Sequence, residues 1–135
     1  MPYLHKPKRK TVRQIRSDAY NKRRKIYQSE QWKRTRLGKL HDQPTCELCD
    51  ARGIVTLAVD VHHADSVTNY DGAMMLLKAY DPNNLVSLCK ECHSWLHRLG
   101  STNGINIEQA AADLDKEFGP GIRPYKQHGQ IQRIR

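Results

Sequence analysis

Asp60-Val61-His62-His63, followed later by Asn84-Leu85-Val86-Ser87-Leu88-Cys89-Lys90-Glu91-Cys92-His93 and then His97, is the stretch that decides the fold. Adjacent histidines are an expensive choice for a folding chain unless something binds them. His93 and His97 stand four residues apart. On a helix that spacing puts both imidazoles on one face, with Cβ atoms roughly 5–6 Å apart, close enough to share an ion. Cys89 and Cys92 form one CxxC unit, and Cys46 and Cys49 form another upstream. Four thiols and four clustered histidines exceed what one tetrahedral site can use, so the spacing predicts two sites.

The chain has 135 residues with 38% hydrophobic content and a mean hydropathy of −0.79. That suits one small domain with appendages and a modest core, a size class in which a metal staple often decides folding. The longest apolar run, Ala73–Leu77, is too short to span a membrane. The basic N-terminus lacks the apolar segment of a secretory signal, so the expected compartment is the cytoplasm. Disulfides are not expected there, and paired CxxC units point to metal. Two such units, 39 residues apart, can close a tetrahedral four-cysteine site, for which zinc is the expected ion. A redox CxxC is the competing reading, but it explains neither the second unit nor the lack of a βαβ pattern.

Net charge is +9, and its distribution is uneven. Residues 1–39 carry 14 lysines and arginines against Asp18 and Glu30, whereas residues 40–135 are slightly acidic. A basic arm beside a nearly neutral metal domain suits a polyanion, and a nucleic acid is the expected partner. Arg23, Arg24, Lys25, Lys33, Arg34 and Arg36 are the candidate phosphate contacts. The competing reading is a solvated tail.

Outward from the histidines, apolar positions Val12, Ile15, Ala19 and Ile26 predict a basic amphipathic helix from Thr11 to about Tyr27. Ser29 is placed to cap a second helix, Glu30 to about Leu40, presenting Trp32 to the core. Gly53–His63 predicts one or two short strands. Ala73–Tyr80 predicts two helical turns with a Met/Leu cluster read as core packing. Leu85–Leu88 predicts a strand and Lys90 to about Leu99 a helix, with Gly100 placed to stop it. Asn106 and Gln109 resemble a capping box for a last helix, Ile107–Phe118. The division expected is a basic arm over 1–28, a central domain over 29–118 and a basic tail over 119–135 that includes Lys126, Arg133 and Arg135.

His62-His63, Asn84 and His93, in that order, resemble the motif of the HNH endonucleases, the ββα-metal nucleases. The run Asp81-Pro82-Asn83-Asn84 through His93 is similar to the four-cysteine subgroup. Tyr27-Gln28-Ser29-Glu30-Gln31-Trp32-Lys33-Arg34-Thr35-Arg36 and the first CxxC, Cys46 and Cys49, resemble what precedes the motif in phage and prophage members. The likeness covers roughly residues 26–97. It implies an α+β fold with a small ββα-metal core, flanked by basic N-terminal helices and a C-terminal helix. It also implies metal-dependent hydrolysis of DNA phosphodiester bonds by nicking or double-strand cleavage, leaving 5′-phosphate and 3′-hydroxyl ends.

In that resemblance His63, Asn84 and His93 are the catalytic residues. His63 is the general base, suited by a neutral imidazole near cellular pH, and Asn84 holds the loop that orients it. His62, His93 and His97 hold the catalytic divalent cation: Mg²⁺, Mn²⁺, Ni²⁺, Co²⁺ or Zn²⁺. Cys46, Cys49, Cys89 and Cys92 hold structural zinc. The subgroup usually has Asp directly before the base. Here His62 stands there and Asp60 two places earlier, so Asp60 is the alternative ligand. Residues 66–81 read as an insertion. Phage packaging proteins are a further implied partner, no membrane is expected, and the chain is expected as a monomer or weak dimer. Two other readings remain open: a non-catalytic zinc-binding nucleic-acid module, and a protein-interaction module built on the Met/Leu insertion and last helix.

Overall fold

The computed structural model describes residues 7–99 and 104–125. Six α-helices and a two-stranded sheet organise the described part: α1 Val12–Tyr27, α2 Glu30–Asp42, α3 Glu47–Ala51, β1 Asp60–His63, α4 Gly72–Tyr80, β2 Leu85–Leu88, α5 Lys90–Leu99 and α6 Ile107–Phe118. This is the α+β architecture expected, with the antiparallel β1–β2 pair followed directly by α5. The expected helix stop at Gly100 and the basic tail residues Lys126, Arg133 and Arg135 lie outside the described residues. Among the described residues, no helix is long and apolar enough to cross a membrane.

The β1–β2 register pairs Asp60 with Leu88, Val61 with Ser87, His62 with Val86 and His63 with Leu85. Side chains alternate between the faces of a strand, and here each face has its own core. Val86 and Leu88 pack with Leu48, Trp95, Leu96, Leu114 and Phe118. Leu85 packs on the other side with Ile26, Trp32, Val67 and Ala79. The adjacent histidines therefore point to opposite faces of one strand, which is why the chain needs both in succession.

Local chemistry accounts for most helix boundaries. Thr11 and Gln14 form a reciprocal capping box at α1, and the Ser29 hydroxyl accepts from the Trp32 amide at the start of α2. At α6, Asn106 accepts from the Gln109 amide at 3.0 Å. The Gln109 side chain bonds Asp113 rather than returning to the cap, so only half of the expected box forms. Arg52, its side chain fully buried, ties α3 to α6 through Asp115 (2.6 Å) and the Gly119 carbonyl (2.9 Å). The Trp95 indole donates to Glu117 at 2.7 Å, fastening α5 to the same helix.

Several expectations are corrected. Only Asp60–His63 of the 53–63 segment is strand. The preceding residues run as an open connection, touched by a single bridge between Thr45 and Leu57, and Val55 and Leu57 face solvent. Helix α2 runs two residues past Leu40 before Gln43 ends it. Most of the Met/Leu cluster is not core: Met74, Leu76 and Leu77 are exposed, and the helix is anchored by the fully buried Ala79 with Met75 and Tyr80 partly buried against the same core. Its apolar residues exceed what one short contact can cover. Helix α1 likewise buries only Ile26 and leaves Val12 and Ile15 outside.

Leu114 has no solvent exposure and joins α6 to the cysteine-containing core. Leu114→Ala is expected to lower unfolding free energy by roughly 2–5 kcal/mol, the usual cost of a buried leucine cavity. Urea denaturation of the metal-replete chain measures it.

Candidate metal centres and active site

Two clusters of ligand-type side chains form among the described residues: Cys46, Cys49, Cys89 and Cys92, and His62, His93 and His97. In each, the candidate ligand atoms lie within 4.8 Å of one another. The sequence-predicted ligands are thus brought together as two separate groups.

The cysteine cluster is fully interior. Cys46 caps α3 with its sulfur facing the Cys49 amide, while Cys89 and Cys92 flank the start of α5. The Cys49 sulfur lies 3.8 Å from that of Cys89 and 3.7 Å from that of Cys92. A disulfide needs about 2.05 Å, whereas Zn–S bonds of about 2.3 Å in a tetrahedron set the sulfurs about 3.8 Å apart. Hydrogen bonding with Cys46, Cys49 and Cys89 pushes the Cys92 thiol far up. Four thiols this close cannot all ionise without a cation among them, and the donor set therefore fits a closed tetrahedral metal site.

The histidine cluster sits between β1 and α5. His62 comes from the strand; His93 and His97 come from successive turns of the helix, their rings 4.5 Å apart between centroids. His93 Nδ1 lies 3.0 Å from an Asp60 carboxylate oxygen, which only accepts, so the proton is on Nδ1. That leaves the His93 Nε2 lone pair facing His97 Nε2 at 3.0 Å. His62 is pushed down to about 4 by burial and by the neighbouring His93, His97 and His63, and burial followed by His93 lowers His97. Neutral imidazoles with converging lone pairs are the form in which histidine binds a divalent ion. Asp60 engages His93 instead of joining the cluster, the outer-partner arrangement common around metal-binding histidines.

His63 faces the other way. It is 6% exposed, its ring lies against Trp32 at 4.9 Å between centroids, and its Nε2 donates to the Ala79 carbonyl at 3.0 Å. Nδ1 is therefore the basic nitrogen. Burial pushes His63 below the ordinary histidine range, and the Ala79 bond opposes part of that shift. Asn84 is also buried. Its Nδ2 donates to the carbonyls of Lys78 and Asp65, both at 3.0 Å, and its Oδ1 accepts from the Asp65 amide at 2.8 Å. Asn84 thus closes the 64–84 excursion and fixes Lys78, whose neighbour Ala79 holds His63. Residues 66–81 thus reach His63 through the Ala79 carbonyl.

Both faces of β1 open onto one groove, lined also by Tyr20, Arg23, Arg24, Tyr27 and Arg36. Arg23, Arg24 and Arg36 therefore stand beside the histidines. Lys25, Lys33 and Arg34 do not line it; Lys33 pairs with Glu30 at 2.9 Å on the surface. The Arg36 guanidinium donates to the Val59 carbonyl at 2.7 Å, just before β1. The orienting roles of the Ala79 carbonyl and Asp60 had no distinct sequence signal, because a backbone carbonyl has none and an acid near histidines reads equally as a ligand.

The purified chain is expected to retain one equivalent of metal through dialysis. Cys92→Ser should lose that ion together with helical circular dichroism, whereas His97→Ala should keep both. Elemental analysis of the three proteins checks this.

Residues 46–99 match the family model described as HNH endonuclease. The crystal structure of the HNH endonuclease of deep-sea thermophilic bacteriophage GVE2 with manganese ion is similar to this chain. The two share 28% identity over 67% of this chain and 95% of that one, with a TM-score of 0.56. No curated protein matches. Over residues 46–99 the chain is thus similar to the HNH endonuclease family.

Proposed function

We propose that the chain is a metal-dependent endonuclease hydrolysing phosphodiester bonds in DNA. The observation that carries this reading is the division of labour on β1. A neutral, oriented His63 on one face and three converging imidazoles on the other open onto one arginine-lined groove.

His63 is the general base, receiving a proton from the attacking water at Nδ1. Asn84 is a positioning residue that acts through the 64–84 excursion. His62, His93 and His97 hold the catalytic ion, and Asp60 orients His93. A divalent cation there would neutralise charge building on the phosphate and on the departing 3′-oxygen. The manganese in the phage enzyme's structure supports Mn²⁺ as a first candidate, and imidazole donors also suit Ni²⁺, Co²⁺ and Zn²⁺. The four cysteines hold structural zinc, a closed thiolate site with no position left for chemistry. Residues 29–118 form the nuclease domain, with 1–28 and 119–135 as basic arm and tail. Association with phage packaging proteins is an extension of the phage likeness.

The test is conversion of supercoiled plasmid to open-circle or linear DNA with each of Mg²⁺, Mn²⁺, Ni²⁺, Co²⁺ and Zn²⁺. Cleavage by the wild type that is lost in His63→Ala, with cysteine-bound metal retained, is expected. DNA binding without cleavage under any metal would leave a non-catalytic zinc module instead.

Arg23 and Arg24 are proposed to bind phosphate in the groove. Replacing both with alanine should weaken DNA binding uniformly across sequences. The slope of log affinity against log salt should fall by about 1 for each arginine–phosphate pair removed, as read by fluorescence anisotropy.

A further inference from the structure

Resting on the nuclease reading above, we propose that Tyr27 is a positioning residue of the hydrolytic step, its hydroxyl holding the attacking water against His63 Nδ1. His63 Nε2 is committed to the Ala79 carbonyl, so Nδ1 is the nitrogen left to accept a proton. The polar group facing it is the Tyr27 hydroxyl, 3.5 Å away. That separation is long for a direct hydrogen bond. A water about 2.8 Å from each partner can touch both only at an acute angle, beside rather than between them. Among the described residues the Tyr27 hydroxyl meets no other hydrogen-bond partner, and it opens onto the histidine groove.

The placement is built rather than incidental. Ile26, directly before Tyr27, is 2% exposed and anchors the end of α1 in the core shared with Trp32 and Ala79. The Tyr27 ring meets Trp32 edge-on at 5.3 Å between centroids, and Trp32 in turn lies against His63. Just beyond, the Ser29 hydroxyl donates to the Ile26 carbonyl at 2.6 Å and lies 3.0 Å from the Tyr80 hydroxyl. Tyr80 adjoins Ala79, so the last turn of α4 fixes both the base and the segment carrying the tyrosine. Burial pushes the Tyr27 phenol up, which keeps it protonated and able to donate.

In the step, the water gives one proton to His63 Nδ1 while accepting a hydrogen bond from Tyr27. Its oxygen lone pair forms the new bond to phosphorus, and the bond from phosphorus to the 3′-oxygen breaks. The leaving oxygen then takes a proton from a second water, and the hydroxide left behind takes up the proton held on His63, which restores the neutral base. Tyr27 neither gains nor loses a proton overall.

Tyr27→Phe keeps the ring and removes only the hydroxyl. Single-turnover plasmid cleavage with enzyme in excess, DNA affinity and Tm are measured for wild type, Tyr27→Phe and His63→Ala. The expected result is a roughly 100- to 1,000-fold lower cleavage rate in Tyr27→Phe, the range for loss of one oriented hydrogen-bond donor, with affinity and Tm unchanged. A rate within about twofold of wild type, while His63→Ala is inactive, overturns the role of Tyr27 and leaves the nuclease reading standing. So does a loss accounted for by weaker DNA binding or a lowered Tm. A wild type that cuts no DNA with any metal overturns both.

Discussion

The approach of four cysteine sulfurs within the core is the constraint on which the rest of this small structure depends. Cys46 and Cys49 come from a one-and-a-half-turn helix that could not persist alone, and Cys89 and Cys92 come from the start of α5. Bringing them together fixes the end of β2 and the direction in which α5 leaves it. That direction carries His93 and His97 to the face of β1 where His62 waits. Apparent folding free energies of about 10–16 kcal/mol for structural zinc in small peptides are comparable to the whole stability of a typical domain. A cation held by these thiols would thus be part of the fold. Arg52 and Trp95 then add α6 to the thiolate core from the far side.

The second constraint is the alternation of a single strand. Because successive residues of β1 face opposite ways, His62 turns toward α5 while His63 turns toward Trp32 and Ala79. Neighbouring residues in the chain thereby enter different environments: one among imidazoles, the other in an aromatic wall closed by a carbonyl. Burial favours the neutral form of both. What differs is the partner left to each ring, and that difference supports separate proposed tasks.

Much of this is legible in the sequence. The i, i+4 histidine pair, the two CxxC units, the strand at Leu85–Leu88 and the α5 and α6 spans are readable because short-range periodicity and ligand spacing encode them directly. The 53–59 segment misleads because β-branched content signals extended backbone, but strand formation needs a partner, and only Asp60–His63 finds one. The Met/Leu cluster misleads because apolar composition does not reveal how much facing surface exists; α4 is held chiefly through Ala79. The choice between Asp60 and His62 turns on a hydrogen bond between residues 33 apart, and the orientation of His63 on a carbonyl, neither of which leaves a pattern in one chain.

The 64–84 excursion has a consequence for how such a site can vary between proteins. Its ends are closed by Asn84 and the Ala64–Asn84 backbone bond, and its contribution to His63 is one returning carbonyl. The residues of the cysteine and histidine clusters lie entirely outside it. Lengthening a closed loop is thermodynamically mild, about 0.6 kcal/mol for each doubling. Apart from Val67, which is buried in the core with Trp32, residues between Asp65 and Lys78 can therefore be lengthened, shortened or exchanged with little effect on the histidine cluster, provided an asparagine and a carbonyl come back to the same places. Diversity in what surrounds the groove can accumulate in this segment while the chemistry beneath it stays the same.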